Sequence, residues 1–346
     1  MRRRKFTTVP NDNPASATPT PTSRSTPTPT SRSTPTPAPA PTPRALSGGP
    51  LPVLAAAVIW GTTGTAGSFA PTAAAPMAVG AAGLLLGGVL LFVTSGGGRA
   101  LPRGCARDER LLLGLGALAV AGYPVTFYPA VARTGVAVAT VIALGSAPVL
   151  TGLLALLTRQ GRPTARWAYG TAAAVLGCAV LVLGPVLSGP GTPVDTVGVL
   201  LAVLAGLSYA GYALIGGRLI ARGRPAGAVM GVMFGGGALL ASPAVVAAGA
   251  QWLGTARGAS VALYLALVTT FLAYRLFGHG LRHTPAQVAT TLTLAEPAVA
   301  AVLGVAVLGE RLPAVSWCGL AALGAGIAVL TTGPAPRDPE GAPRRP

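Results

Sequence analysis

The sequence predicts an all-α polytopic membrane protein of ten transmembrane helices, built as two inverted five-helix repeats. Three observations carry that reading: a composition too apolar for a soluble domain, ten apolar runs of membrane-spanning length, and a self-match between the halves of the chain. Of the 346 residues, 51% are hydrophobic and 10% charged, whereas a soluble domain has about 25% charged residues.

Residues 1–50 form the first element, a Pro/Thr/Ser-rich tail in which Thr-Ser-Arg-Ser-Thr-Pro-Thr-Pro stands at 22–29 and again at 30–37. Such a stretch has too little apolar surface to offset ordering entropy, so a disordered cytoplasmic tail is expected. Arg2, Arg3, Arg4 and Lys5 precede no apolar stretch, which argues against a signal peptide. A second short cytoplasmic tail is expected at 333–346.

Between the tails the apolar runs fall at 51–70, 74–94, 110–131, 134–157, 167–187, 196–217, 226–248, 258–281, 285–308 and 314–332. Each suffices to cross a hydrocarbon core of about 30 Å at about 1.5 Å per residue. Arginine sets the expected orientation. With the tail inside, 21 of the 25 basic residues are cytoplasmic; Arg133, Arg257 and Arg311 are outside and Arg275 lies within a helix. Positive-inside bias therefore puts both termini in the cytoplasm of a multi-pass protein in the cytoplasmic membrane.

Shifting the chain by 149 positions lays the run 133–181 on 282–330 without a gap. Arg133 meets Arg282, Pro148 meets Pro297, Gly170 meets Gly319 and Gly177 meets Gly326; upstream, Trp60-Gly61 falls on Tyr209-Ala210. The expected repeats are 51–187 and 196–332. A unit of five helices is odd, so its second copy enters from the opposite face, as in many secondary transporters.

The run Thr291-Leu292-Thr293-Leu294-Ala295-Glu296-Pro297, with Leu308-Gly309-Glu310-Arg311-Leu312, resembles the last-repeat signature of EamA-type transporters. Trp60-Gly61-Thr62-Thr63-Gly64 resembles their first-helix motif. These transporters belong to the drug/metabolite transporter superfamily, and the resemblance covers about 51–332. It implies export of amino acids or other small metabolites. Helix 2 of that family often carries a basic residue about where Gly83 stands here, so that residue's role does not transfer.

Several chemistries are excluded. Lys5 follows Arg4, so no phosphate-binding G-x4-G-K loop exists. His279 and His283 are the only imidazoles, and the three cysteines form no C-x-x-C pair, so no metal site and no cofactor is expected. Gly206-Leu207-Ser208-Tyr209-Ala210 approximates a nucleophile elbow but lies mid-helix, so the chain is not read as an enzyme. The arginines punctuate apolar runs, which points to a lipid bilayer and a small-molecule substrate as partners, with no nucleic acid.

Ionisable groups inside the membrane are costly and mark function by default. They are Glu296 at the middle of the ninth run, and Arg275 and His279 in the eighth. Glu296 suits either proton binding or a structural hydrogen-bonding role. Arg275, His279 and Arg282 share one helical face, expected to look into the protein. From there Arg275 would meet a substrate carboxylate or Glu296, or else snorkel toward the cytoplasm. Trp60 and Tyr209 are repeat mates too deep for an interfacial belt, which favours cavity lining. Pro148 and Pro297, also mates, remove a helical hydrogen bond each and are expected as helix breaks near a central site. The function read from the sequence is alternating-access export of a small metabolite or drug-like compound, with proton coupling an open question. The alternative is a passive facilitator, channel or lipid-handling protein.

Overall fold

The computed structural model describes residues 49–71, 74, 76–96, 100–161, 163–187, 195–247, 249, 251–309 and 311–332. Most of the N-terminal tail, the C-terminal tail, Arg99, Arg162 and Glu310 lie outside them. In chain order the helices are α1 (Pro50–Gly61), α2 (Thr63–Ser68), α3 (Pro76–Val93), α4 (Arg107–Leu157), α5 (Ala165–Leu187), α6 (Thr196–Ala221) and α7 (Ala226–Ala247). They continue with α8 (Ala256–Tyr264), a π-helical stretch Leu265–Leu272, α9 (Ala273–Gly280), α10 (Ala286–Leu292), α11 (Ala295–Leu308) and α12 (Ala314–Thr331).

Their ends follow local chemistry. Pro50 starts α1, where a missing N–H costs nothing. Asp195 caps α6 by accepting the Gly198 N–H at 2.8 Å, and Thr255 caps α8 by accepting that of Gly258 at 3.0 Å. Gly309 ends α11 at φ 71°, a left-handed conformation that suits glycine.

Among the described residues seven helical segments are long and apolar enough to cross a membrane. Ten runs were expected, and the difference has physical causes. The first run is broken at Thr62 into pieces of 12 and 6 residues. The second contributes a shorter apolar helix, Met77–Val93. The third and fourth are joined in the 51 residues of α4, whose backbone leaves helical geometry at Gly135 (φ 80°, ψ 161°).

The chain reverses there. Along α6, Gly198 abuts Ala130, Arg133 and Thr134; farther on, Gly206 abuts Ala143 and Ser146, while Gly122 abuts Ser208 and Gly211 abuts Ala119. The two halves of α4 thus diverge from Gly135 along the same helix, one antiparallel and one parallel to it. A straight helix of that length would span about 75 Å, more than twice a bilayer core.

α5 and α12 pack antiparallel through glycines. A Cβ on Gly177 would stand 2.8 Å from the Gly319 carbonyl oxygen, and one on Gly170 would stand 3.2 Å from that of Gly326. The main core includes the fully buried Met230, Met233, Phe234 and Phe277. The outer surface is apolar, with Leu157 70% and Leu239 74% exposed. A lipid-facing perimeter has that character.

Candidate functional site

The ninth apolar run is a discontinuous helix. Pro297 has no N–H to give the Thr293 carbonyl, its partner one turn back; that carbonyl instead accepts the Glu296 N–H at 3.0 Å. α10 therefore ends at Leu292 and α11 begins at Ala295, with Glu296 in its first turn. A carboxylate there sits at the positive end of a helix dipole. The Thr293 hydroxyl accepts from Tyr209 Oη at 2.7 Å, which ties α6 to the break.

The Trp60-Gly61 motif brings the first run to the same place. A Cβ on Gly61 would lie 2.6 Å from Val299 Cβ and 2.9 Å from the Glu296 carbonyl oxygen, so only glycine lets α1 lie against α11 here. Trp60 Nε1–H donates to the Thr269 carbonyl at 2.8 Å, inside the π-helical stretch. π-Helical turns are frequent at functional sites. The Thr62 hydroxyl donates to the Ile59 carbonyl at 2.6 Å and bonds Tyr264 Oη at 2.8 Å, where α1 gives way to α2.

These contacts surround a cavity of about 260 Å³. Its wall holds Glu296, Trp60, Phe127, Phe234, four threonines (Thr63, Thr140, Thr269, Thr270) and five of the seven tyrosines: Tyr123, Tyr128, Tyr209, Tyr212 and Tyr274. The rings brace one another: Tyr209 stacks on Tyr212 with centroids 5.1 Å apart, Tyr123 on Phe127 at 5.3 Å, and Trp60 meets Tyr274 at 4.8 Å. Among the described residues the Glu296 carboxylate has no hydrogen-bond or ion-pair partner, and no Arg, Lys or His lines the cavity.

Tyr128 and Thr140 flank the Gly135 reversal, and Gly80 and Gly83 belong to the first turns of α3, so the cavity lies toward the Gly135 end of the bundle. The opposite end is fastened. Arg224 makes a bidentate ion pair with Glu109 (2.6 and 3.3 Å), and Arg222 pairs with Asp108 at 2.8 Å, joining the α6–α7 turn to the start of α4.

The profile of the EamA-like transporter family matches residues 48–183 and again 196–332. The chain belongs to the EamA-like transporter family. It is 39% identical over 282 residues to a Bacillus subtilis (strain 168) protein named as uncharacterized transporter YwfM, covering 82% of this chain and 93% of that one. A solved crystal structure, 21% identical, shares the fold with a TM-score of 0.67 over 81% of this chain and 94% of its own. The protein is therefore a multi-pass membrane transporter with two EamA domains, not an enzyme.

Within this EamA fold the expected site residues separate into two groups. Glu296, Trp60 and Tyr209 line one cavity. Arg275 and His279 do not join them: the stripe Arg275, His279 and Arg282 is exposed, correcting the expectation that it faces inward. The reason lies in α9, whose Ala273, Phe277, Gly278 and Gly280 are buried and turn the charged face outward. Arg275 rests its guanidinium over the Phe271 ring, 5.2 Å from the centroid, and the His279 ring meets that of His283 edge-on at 5.9 Å.

The prolines separate too. Pro297 stands at a true break, whereas α4 runs helically through Pro148, correcting the expectation of a break there; Gly135 alone departs from helical dihedrals. A buried proline inside a braced hairpin bends the helix without ending it. Sequence reasoning missed Tyr123, Tyr212, Tyr274 and the threonines of the π-helical stretch. One signal for them existed: aromatic residues are only 5% of the chain, yet five lie at 123–128 and 209–212.

Proposed function

We propose that this EamA transporter exports a small molecule across the cytoplasmic membrane by alternating access, with Glu296 as the coupling group. The observation that carries this is the cavity, walled by both repeats and holding one carboxylate without a partner among the described residues, at a helix break. A group so placed is free to exchange a proton or a ligand, whereas a purely structural carboxylate would be hydrogen-bonded.

We read ten crossings in two repeats, 51–187 and 196–332, with tails at 1–50 and 333–346. The hairpin in α4 supplies two crossings; α3 supplies one, and α1 with α2 another. Support for inversion comes from the glycine pairs. By the 149-residue shift Gly170 and Gly319 are mates, as are Gly177 and Gly326, yet Gly170 abuts Gly326 and Gly177 abuts Gly319. Contacts that exchange mates in this way are those of a two-fold relation between equivalent units. The helices involved are antiparallel, so the axis lies in the membrane plane. With both termini cytoplasmic by arginine count, the cavity faces outward and the end joined by Arg224–Glu109 and Arg222–Asp108 faces the cytoplasm.

Purified protein in vesicles tests the reading, with a panel of amino acids and amines and pH gradients imposed in each direction. Saturable counterflow whose direction follows the gradient supports it. Non-saturating flux indifferent to the gradient would instead establish a passive channel.

A further inference from the structure

We infer that the cargo of this cavity is an organic amine, carried as its ammonium cation, that lacks a carboxylate; this rests on the transport reading above. The juxtaposition behind it is the Glu296 carboxylate, unpartnered among the described residues, in a chamber of aromatic rings with no described basic side chain on its wall. Aromatic faces attract cations through their quadrupole, and the attraction grows when water is excluded. A carboxylate within the same chamber supplies the counter-charge.

The other polar groups agree. Tyr209 Oη is committed to Thr293, and Trp60 Nε1 to the Thr269 carbonyl. The hydroxyls of Tyr123 and Tyr128 make no hydrogen bond to described residues, and the Tyr128 hydroxyl occupies the space that a Cβ on Gly80 would need. Two hydroxyls and a carboxylate accept the N–H groups of an ammonium. An amino acid would bring its own carboxylate to a wall without an arginine, beside an anion already there. Arg275, the one basic residue placed in a helix interior by sequence, points away. A volume of about 260 Å³ suits a single-ring amine; drug-sized pockets run about 300–1,000 Å³.

Three molecules with one ring and different charge decide the matter: tyramine (cation), tyrosine (zwitterion) and 4-ethylphenol (neutral). Binding is measured by titration calorimetry on the purified full chain, and exchange in vesicles. Tyramine is expected to bind more tightly than tyrosine by about tenfold or more. Glu296→Gln should remove that preference and leave 4-ethylphenol unchanged. The wild-type ranking needs no variant, so the inference stays testable if Glu296→Gln fails to fold; Tyr123→Phe, which keeps the ring, should weaken tyramine selectively. Tyrosine binding as well as tyramine, no binding of tyramine, or full tyramine affinity in Glu296→Gln overturns the inference. Exchange of tyrosine without tyramine would defeat the cargo class and leave the transporter intact. Tyramine binding without exchange of any probe would keep the cation site and defeat the transport cycle.

Discussion

The indole N–H of Trp60 donates a 2.8 Å hydrogen bond to the backbone carbonyl of Thr269. This one contact joins the first helix of the first EamA repeat to the π-helical stretch of the second. A π-helical turn leaves carbonyls poorly matched to intrahelical donors, so an outside N–H at that position stabilises the irregular backbone.

Trp60→Phe keeps a ring against Tyr274 and Phe277 and deletes only the donor. A net hydrogen bond is worth about 0.5–1.5 kcal/mol, so thermal stability in detergent should fall modestly. Transport at equal abundance should fall more, because the π-helical wall of the cavity loses its brace. Unchanged transport and stability would show that the contact is incidental.

At Gly177 and Gly319 the α5–α12 seam leaves no room for a side chain. Gly177→Val should destabilise the fold by about 1–3 kcal/mol through overpacking, and Gly319→Val should do the same because it meets the same backbone. Together they should cost less than the sum of the two, since either one already parts the helices. Additive loss measured by chemical unfolding would mean that the two glycines act on separate contacts.

The pairs Arg224–Glu109 and Arg222–Asp108 join the α6–α7 turn to the start of α4 beside Cys105, which is 7% exposed and whose thiol is held above its usual range chiefly by burial. In a chain carrying Cys178→Ala and Cys318→Ala, maleimide should label Cys105 slowly. Adding Glu109→Gln should open that end and speed labelling by about tenfold. Equal rates would argue that the ion pairs do not gate this end.

Orientation is checked by reporter fusions. Fusions within 99–108 and 337–346 should read cytoplasmic and those within 188–195 external, as arginine distribution requires. An external C-terminus would mean an odd number of crossings and defeat the inverted repeat. Deleting residues 1–46 should leave transport per inserted molecule unchanged.

Much of this fold was legible because membrane insertion imposes run lengths that a sequence displays directly. The run 258–281 nearly coincides with the crossing Ala256–Gly280, and 314–332 with α12. The glycines of 170, 177, 319 and 326 appeared as repeat mates, although only the structure displays their exchanged contacts. Less legible were features set by tertiary packing. Periodicity placed Arg275, His279 and Arg282 on one face, but the buried Ala273 and Phe277 decide which way that face turns. Proline at 148 and at 297 looked equivalent, yet only the latter stands beside an interrupted run of helical hydrogen bonds, between α10 and α11. The π-helical stretch has no composition of its own, and the tyrosine-lined chamber draws its rings from five separate segments of the chain.

The central claim is that Glu296 couples transport to protons, and one ratio tests it most directly. Vesicles holding wild-type protein or Glu296→Gln are loaded with saturating tyramine, or with tyrosine if that proves to be the cargo. Flux is then measured with and without an imposed pH gradient. In the wild type the gradient should raise net flux by about tenfold or more. Glu296→Gln keeps the side-chain size and cannot titrate, so its residual flux should be the same with or without the gradient. A Gln variant whose flux still rises with the gradient as in the wild type would contradict the account.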